Sequence, residues 1–305
     1  MPRFFCYSCC ETLLRFGMAF WQQGSQDKNL TLDDVRSRYA ALFARFGPAP
    51  AFDYAPGKLG AIPGEWLGAE RSDRIILYFH GGGFVAGSPE SHRPLIGKLV
   101  EASGVGAFSV RYRLAPECFF PAAVRDGIDA YRALLSRRMT ASSVILAGDE
   151  AGGGLVFAVA LAIRNAGLEM PGGLVALSPW ADLSLSGLSI LTNRKSDPVL
   201  EWEILFLSAR YYLRKSNPCD TYASPAYTSF SGFPPIMLHA GADEILRDDA
   251  SKLGDRAADA CVPVSVEIYD GMGHLFQTEA GRSEAKVSLS RLAQFIRAKT
   301  AALAA

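Results

Sequence analysis

The sequence has no excess of charge of either sign and contains few cysteines. Its 305 residues include 31 basic and 31 acidic side chains, so the formal net charge is zero. A nucleic-acid-binding chain needs a basic surface to neutralise phosphates, so we expect no nucleic-acid partner. Six cysteines are too few for a disulfide scaffold, and the scattered Cys118, Cys219 and Cys261 are typical of a reducing compartment. With 49% hydrophobic residues the composition predicts a globular, cytoplasmic protein rather than a disordered one.

The sequence also lacks an apolar run long enough to span a bilayer. The apolar stretch at the N-terminus is short, and Glu11 and Arg15 interrupt it. It therefore fits neither a membrane span nor a signal peptide. Cys6, Cys9 and Cys10 lie in this stretch, but no second Cys/His pair follows that would complete a zinc site. We expect reduced thiols there, and contact with a membrane surface is the weaker alternative.

Motifs for cofactors and metals are missing as well. No phosphate-binding loop of the form G-x-x-x-x-G-K-[ST] occurs, and the three glycines at 152–154 lack the spacing and the acidic partner of a dinucleotide-binding loop. The four histidines are scattered, which argues against a metal site. The sequence therefore predicts a protein without a cofactor or metal.

From residue 72 onward, short apolar runs alternate with helical patterns. The apolar runs are nearly continuous, as in strands that are covered on both faces, which favours a parallel sheet flanked by helices. The predicted strands cover residues 74–79, 105–110, 144–147, 174–177, 235–239 and 264–268. The predicted helices cover residues 90–102, 122–138, 151–166, 246–260 and 283–305. Residues 60–68 could supply a leading antiparallel strand.

Two segments do not fit this alternation. Residues 1–50 are helical in pattern, and residues 180–227 interrupt the sequence of strands with a helix near residues 201–212. A long insertion between the strands of an open sheet commonly covers the carboxyl ends of those strands. We expect one domain over residues 1–305, with a two-part helical cap formed by residues 1–50 and 180–227.

A run of three glycines, Gly81 to Gly83, follows His80 at the end of the first long strand. Successive glycines allow a backbone turn that other residues would not tolerate, and the turn can leave amide hydrogens facing a cavity. Such amides can stabilise a developing oxyanion, by about 3 kcal/mol for one donor in known cases. On its own the run is equally consistent with a plain turn or a loop that binds another anion.

Further motifs follow in order: YRLAPE at residues 112–117, GDEAG at 148–152, GADEILRDD at 241–249 and GMGHLF at 271–276. Together with the HGGG loop, they resemble the bacterial hormone-sensitive-lipase-like (family IV) group of α/β-hydrolases. The resemblance covers about residues 60–300. It implies an α/β-hydrolase fold with a mostly parallel, eight-stranded sheet, and hydrolysis of small to medium carboxylic esters. Members of this group often pair through the last strand, and the residues here do not decide whether this chain forms a homodimer.

The sequence departs from the group at the nucleophile elbow, where the motif G-x-S-x-G has Glu150 in place of serine. The resemblance implies that Asp243 orients His274 in a catalytic set with Glu150, and that the amides of Gly82, Gly83 and Ala151 form the oxyanion hole. Turnover through an acyl-serine is excluded, because Ser142 and Ser143 lie before the elbow strand.

Four interpretations of Glu150 remain. It is a carboxylate nucleophile, a general base for water, part of a pocket that binds without turnover, or an introduced substitution in an ordinary esterase. A carboxylate beside amide donors and His274 gains hydrogen bonds and an opposite charge, which raises the histidine pKa. An ionised Glu150 could also fold into the oxyanion hole, which would favour the binding interpretation. We favour a hydrolase in which Glu150 replaces serine, with a catalytically silent binding protein as the alternative.

Overall fold

The computed structural model describes residues 30–68 and 73–300. Cys6, Cys9 and Cys10, and most of the N-terminal part of the predicted cap, lie outside the described residues. None of the helices within the described ranges is long and apolar enough to cross a membrane.

An eight-stranded sheet forms the centre of the molecule, in the order β1-β2-β4-β3-β5-β6-β7-β8. β2 pairs antiparallel with both β1 and β4, and the strands from β4 to β8 pair in parallel. The strands are β1 (Tyr54–Leu59), β2 (Ile62–Leu67), β3 (Ile75–Phe79), β4 (Ala107–Val110), β5 (Val144–Asp149), β6 (Gly173–Leu177), β7 (Ile236–Gly241) and β8 (Val264–Tyr269).

In the chain, the helices of the described residues lie before, between and after the strands of this sheet. They are α1 (Leu32–Ala44), α2 (Pro89–Ser103), α3 (Ala122–Ser136), α4 (Glu150–Asn165), α5 (Ser189–Thr192), α6 (Trp202–Leu213), α7 (Arg247–Asp259) and α8 (Ser283–Thr300). α1 begins at a capping box in which Thr31 and Asp34 bind each other's backbone amides. α1 contacts α6, and the assignment of a separate cap to residues 1–50 and 180–227 stays a prediction.

The predicted α/β-hydrolase fold is confirmed, and the predicted strands match β3 to β8 to within about two residues, the usual uncertainty at element ends. All residues of β3, β4, β5, β6 and β7 are buried, as their apolar runs indicated. The predicted leading strand is β2, but β1 was missed. Its sequence, YAPGKL, contains a proline and a glycine, which weaken the strand pattern.

The parallel part of the sheet brings four loops to one edge. The glycine run follows β3, Glu150 follows β5, the segment with Asp243 follows β7, and the segment with His274 follows β8. Because the carboxyl ends of parallel strands lie at the same edge, this is where ligands bind in open α/β sheets.

Candidate active site

Glu150 lies at a sharp bend between β5 and α4. Its φ is 48°, in the left-handed region that a non-glycine residue rarely adopts. The bend needs glycine nearby: a Cβ at Gly152 would collide with the carbonyl oxygen of Phe79. The bend aims the Glu150 side chain at the glycine loop, in a site where its exposure is 1%.

The carboxylate of Glu150 is bound by the backbone of the glycine loop. Gly82 N donates to Oε2 at 2.6 Å and Gly83 N donates to the same oxygen at 2.8 Å. Hydrogen bonds to an ionised acceptor are short and strong. Thus the two amides that the sequence predicted as oxyanion-hole donors are already occupied by a side chain of the same protein.

The other oxygen of this carboxylate is bound from α1. Tyr39 OH donates to Glu150 Oε1 at 3.2 Å, and Tyr39 is almost completely buried. Burial, together with the charge of Glu150, holds the pKa of Tyr39 well above its usual value, so the phenol stays a donor. Tyr39 was missed in the sequence analysis. It lies in a helical segment with several aromatic residues, and the sequence pattern does not distinguish one that reaches the site from one that only packs.

His274 is oriented by Glu244 and not by Asp243, so the prediction that Asp243 orients it was wrong. Glu244 Oε2 lies 3.0 Å from His274 Nδ1, and both side chains are buried. Asp243 is only half-buried and binds its neighbours through its backbone, with N–H donating to Met272 O at 3.0 Å. The turn after Gly241 therefore directs the second acidic residue of the motif, rather than the first, at the imidazole.

The His274–Glu244 pair sets the protonation of the imidazole. Burial lowers the pKa of His274, but the hydrogen bond and the charge of Glu244 outweigh it, so the pKa lies above its usual value. Burial raises the pKa of Glu244, and the bond to His274 opposes this in part. The pKa of His274 is raised, but through Glu244 and not through the pairing with Glu150 on which the sequence-based prediction rested.

The second nitrogen of the imidazole makes no hydrogen bond within the described part of the chain. His274 Nε2 is buried and has no hydrogen-bond partner among the described residues. Glu150 thus does not bond to His274, because its two oxygens are turned to the glycine amides and to Tyr39. Nε2 remains available to a water or a substrate.

A buried polar network lies under the glycine loop. Asp149 Oδ1 accepts hydrogen bonds from Tyr78 OH at 2.7 Å and from Gly81 N at 3.2 Å. The nearby His92 Nε2 lies 3.3 Å from Asp149 Oδ2. Despite burial, the contact with His92 and the hydrogen bond from Tyr78 hold the pKa of Asp149 below its usual value. The network fixes Gly81, the residue before the two amide donors.

The serines considered from the sequence are remote from this site. Ser143 Oγ donates to Thr140 O, at the opposite end of β5 from Glu150. Ala151 is buried as the second residue of α4, and its role as a third amide donor stays a prediction.

Comparison with known proteins agrees with this geometry. The model of a family described as having the α/β-hydrolase fold matches residues 76–278. The chain belongs to the α/β-hydrolase family. An acetyl-hydrolase of Streptomyces hygroscopicus is 40% identical in an alignment of 231 residues that covers 72% of this chain and 77% of that protein. An esterase of Acinetobacter venetianus is 33% identical over 270 residues, 88% of this chain and 89% of the relative.

Solved structures indicate which group of the α/β-hydrolase family this protein resembles. An esterase from the bacterial hormone-sensitive lipase family superimposes with a TM-score of 0.84 at 35% identity, covering 95% of this chain and 98% of that one. A hormone-sensitive-lipase homologue from a metagenome library gives the same TM-score at 36% identity, covering 93% and 99%. The predicted resemblance is confirmed, and the protein belongs to the hormone-sensitive-lipase-like group of carboxylic-ester hydrolases.

Proposed function

We propose that this α/β-hydrolase is a slow carboxylic-ester hydrolase whose own Glu150 carboxylate competes with the substrate for the oxyanion hole. The observation that carries the proposal is the pair of hydrogen bonds from Gly82 N and Gly83 N to Glu150 Oε2. An ester carbonyl must reach these amides before its oxygen can be stabilised as an oxyanion. Turnover therefore begins when the substrate displaces the carboxylate.

The proposed reaction forms no bond to the protein. His274 Nε2 takes a proton from a water, whose oxygen bonds to the ester carbonyl carbon while the amides hold the negative carbonyl oxygen. The bond from that carbon to the alcohol oxygen then breaks, and the alcohol leaves with the proton that His274 returns. The products are a carboxylic acid and an alcohol. Glu244 keeps Nδ1 bound throughout, which supports the charge that forms on the imidazole.

Attack by Glu150 itself is the less favoured route. Both of its oxygens accept hydrogen bonds, which lowers their nucleophilicity, and attack on an ester would produce a reactive anhydride. Hydrolysis in heavy-oxygen water tests the covalent route, because water that attacks the Glu150 carbonyl of the anhydride leaves its oxygen in the Glu150 carboxylate. We expect Glu150 to remain unlabelled after single turnover, whereas label in its carboxylate would establish the covalent route.

The substrate class follows from the surroundings and the relatives. The glycine loop, Tyr39 and His274 are all buried, so the proposed site is enclosed by protein. The similarity to a protein named acetyl-hydrolase supports a short acyl group. A small-molecule ester with a short acyl chain is thus the proposed substrate.

A catalytically silent binding protein is the second candidate. It is favoured by the three hydrogen bonds that satisfy the Glu150 carboxylate in a buried site, since a substrate must replace all of them. In this alternative the pocket accepts small esters or acids without turning them over.

Hydrolysis of short aryl esters tests the proposal with four proteins: the native chain, Glu150→Ser, Glu150→Ala and His274→Ala. We expect a low native rate that His274→Ala abolishes, a higher rate in Glu150→Ala, and a gain of about a hundredfold or more in Glu150→Ser. A native rate equal to that of His274→Ala, with recovery in Glu150→Ser, would establish the silent binding protein. No hydrolysis by any of the four would overturn the ester site itself.

Two properties expected from the sequence or the family stand as further proposals. The first is a cytoplasmic location, which cell fractionation tests. The second is a homodimer, which gel filtration with light scattering tests.

A further inference from the structure

Four side chains after α5 bind the two loops that carry the catalytic pair. They are Asn193, Ser196, Asp197 and Pro198, and we call them the clasp. The loop that contains Glu244, residues 242–245, is the acid loop. None of the clasp residues was singled out from the sequence.

The clasp holds the backbone of the acid loop at each of its residues. Asn193 Nδ2 donates to Ala242 O at 2.8 Å and to Glu244 O at 2.9 Å. Ser196 Oγ donates to Asp243 O at 3.3 Å, and Ile245 N donates to Asp197 Oδ2 at 2.9 Å. A loop at the end of a strand is fixed in this way without the hydrogen-bond ladder of a sheet.

Two of the clasp side chains, those of Asp197 and Asn193, are themselves held in place. Asp197 Oδ1 accepts hydrogen bonds from Val199 N at 2.9 Å and Leu200 N at 3.0 Å, so both oxygens of this carboxylate are engaged. Asn193 is buried, with an exposure of 8%. If its amide turned, Ala242 O would lose its hydrogen bond from Asn193 and Glu244 O would keep only a longer one from Arg247 N at 3.4 Å.

The clasp also touches the loop of the histidine. A Cβ at Gly273 would lie 3.1 Å from Pro198 Cδ, so the proline ring packs directly on the residue before His274. The same short segment thus contacts the loops on both sides of the His274–Glu244 hydrogen bond.

We propose that Asn193 and Asp197 are positioning residues for ester hydrolysis, which hold the backbone of Glu244 so that its carboxylate reaches His274 Nδ1. They act through Glu244 and are not assigned any contact with the substrate. This inference rests on the proposed function for its catalytic consequence, but the geometry of the pair is measurable without turnover. Loss of the clasp frees the acid loop, which lengthens or breaks the bond to the imidazole.

The charges around the imidazole determine in which direction the pKa of His274 should change if the clasp is lost. The acidic groups that face His274 are Glu244, Asp197 and Glu150, and after burial and Glu244 the charge of Asp197 is the next contributor to its pKa. If the clasp fails, His274 loses the partner that raises its pKa while its burial remains. The pKa of His274 must then fall.

The first experiment measures the pKa of the His274 imidazole by proton NMR. The proteins compared are the native chain, Asn193→Ala, Asp197→Asn and Lys195→Ala. Asn193→Ala changes no charge, so any shift reports the position of Glu244 alone, and Lys195 is an exposed control in the same segment. We expect the pKa of His274 to fall by about half a unit or more in both clasp variants and to stay unchanged in the control. Thermal unfolding establishes that each variant is folded.

The second experiment places the same substitutions in Glu150→Ser. We expect kcat to fall about tenfold or more in the clasp variants while KM stays nearly unchanged. The reason is that proton transfer through His274 becomes slower, whereas substrate binding is not affected. An unchanged His274 pKa in both folded clasp variants would overturn the inference. Failure of Glu150→Ser to hydrolyse esters would overturn only the proposed function, because the titration uses the native chain.

Discussion

The amide of Gly82 lies 2.6 Å from Oε2 of Glu150, and this contact decides what the site can do at rest. In an ester hydrolase this amide must meet the carbonyl oxygen on which negative charge develops. A carboxylate in the same place already carries that charge, so it resembles the intermediate more than the substrate does. The side chain that replaces the serine nucleophile therefore also competes for the machinery that would stabilise the reaction.

Substitution of Tyr39 tests how firmly this carboxylate is held. Tyr39→Phe removes the hydrogen bond to Oε1 and leaves the aromatic ring in place. We expect the free energy of unfolding to fall by about 1 kcal/mol, the net value of one hydrogen bond, and native ester hydrolysis to rise about fivefold.

A matched control for this prediction is Tyr54→Phe, which removes a hydroxyl that donates to Pro50 O away from the site. Both variants lose one phenol hydrogen bond and keep the ring, but the Tyr39 bond is buried and its acceptor is a carboxylate, so Tyr39→Phe is expected to cost at least as much stability. Only Tyr39→Phe is expected to change the ester rate. Equal rates in the two variants would contradict a role of Tyr39 in holding Glu150.

The glycine loop should not tolerate a side chain at Gly82. Its φ is 119°, and a Cβ there would collide with the carbonyl oxygen of Ala86. Gly82→Ala is expected to lower the free energy of unfolding by roughly 2–3 kcal/mol, from strain and overpacking, and to abolish hydrolysis in Glu150→Ser.

Gly104 provides the control for backbone strain. Its φ is 67°, and a Cβ there would meet nothing within 4 Å. Gly104→Ala should therefore cost only about 1 kcal/mol in chemical denaturation and leave hydrolysis intact. If the two substitutions destabilise the protein equally, the close approach of Ala86 to Gly82 is not the reason for the glycine.

The fold could be predicted because its local signals agree with one another. β3 to β7 are buried and mostly apolar, and β8 is a run of β-branched and aromatic residues interrupted by Ser265 and Glu267, so these strands follow from the sequence pattern. β1 could not be found in this way. It pairs only with β2 at the edge of the sheet, so its side chains are less buried and its apolar pattern is weak.

The sequence predicted only those parts of the site whose location follows from the order of strands and loops along the chain. Glu150 and His274 follow strands, and their loops must meet at one edge of the sheet. The choice between Asp243 and Glu244 depends on the direction of one turn, which residue types alone do not fix. Tyr39 and the clasp reach the site from segments outside the strand pattern, and only tertiary packing reveals their contacts.

Assignment of the catalytic acid to Glu244 is tested by two substitutions in Glu150→Ser. Glu244→Gln removes the charge that raises the pKa of His274, so the acidic limb of kcat/KM is expected to move to lower pH. The rate should also fall about a hundredfold or more, because the imidazolium loses its support. Asp243→Asn should leave the pH profile unchanged and reduce the rate little. The reverse pattern in the two pH profiles would restore Asp243 as the acid.

A buried carboxyl outside the active site makes the stability of the protein depend on pH. Asp249 Oδ2 accepts hydrogen bonds from Ala181 N at 2.8 Å and Asp182 N at 2.9 Å. Burial raises the pKa of Asp249 to about 7, with Lys252 opposing the rise and the charge of Asp182 adding to it. In the unfolded chain this carboxyl titrates near pH 4, about its reference value.

The folded state therefore binds the Asp249 proton more tightly than the unfolded state does. Its contribution to stability is complete below about pH 4 and is lost as the pH rises through about 7. Asp249→Asn keeps an acceptor for the two amides and cannot titrate, so its free energy of unfolding should decline less than that of the native chain between pH 5 and 8. Urea denaturation at each pH measures this, with the exposed Asp255→Asn on the same helix as control. Parallel curves for Asp249→Asn and the native chain would mean that Asp249 stays ionised in the folded protein.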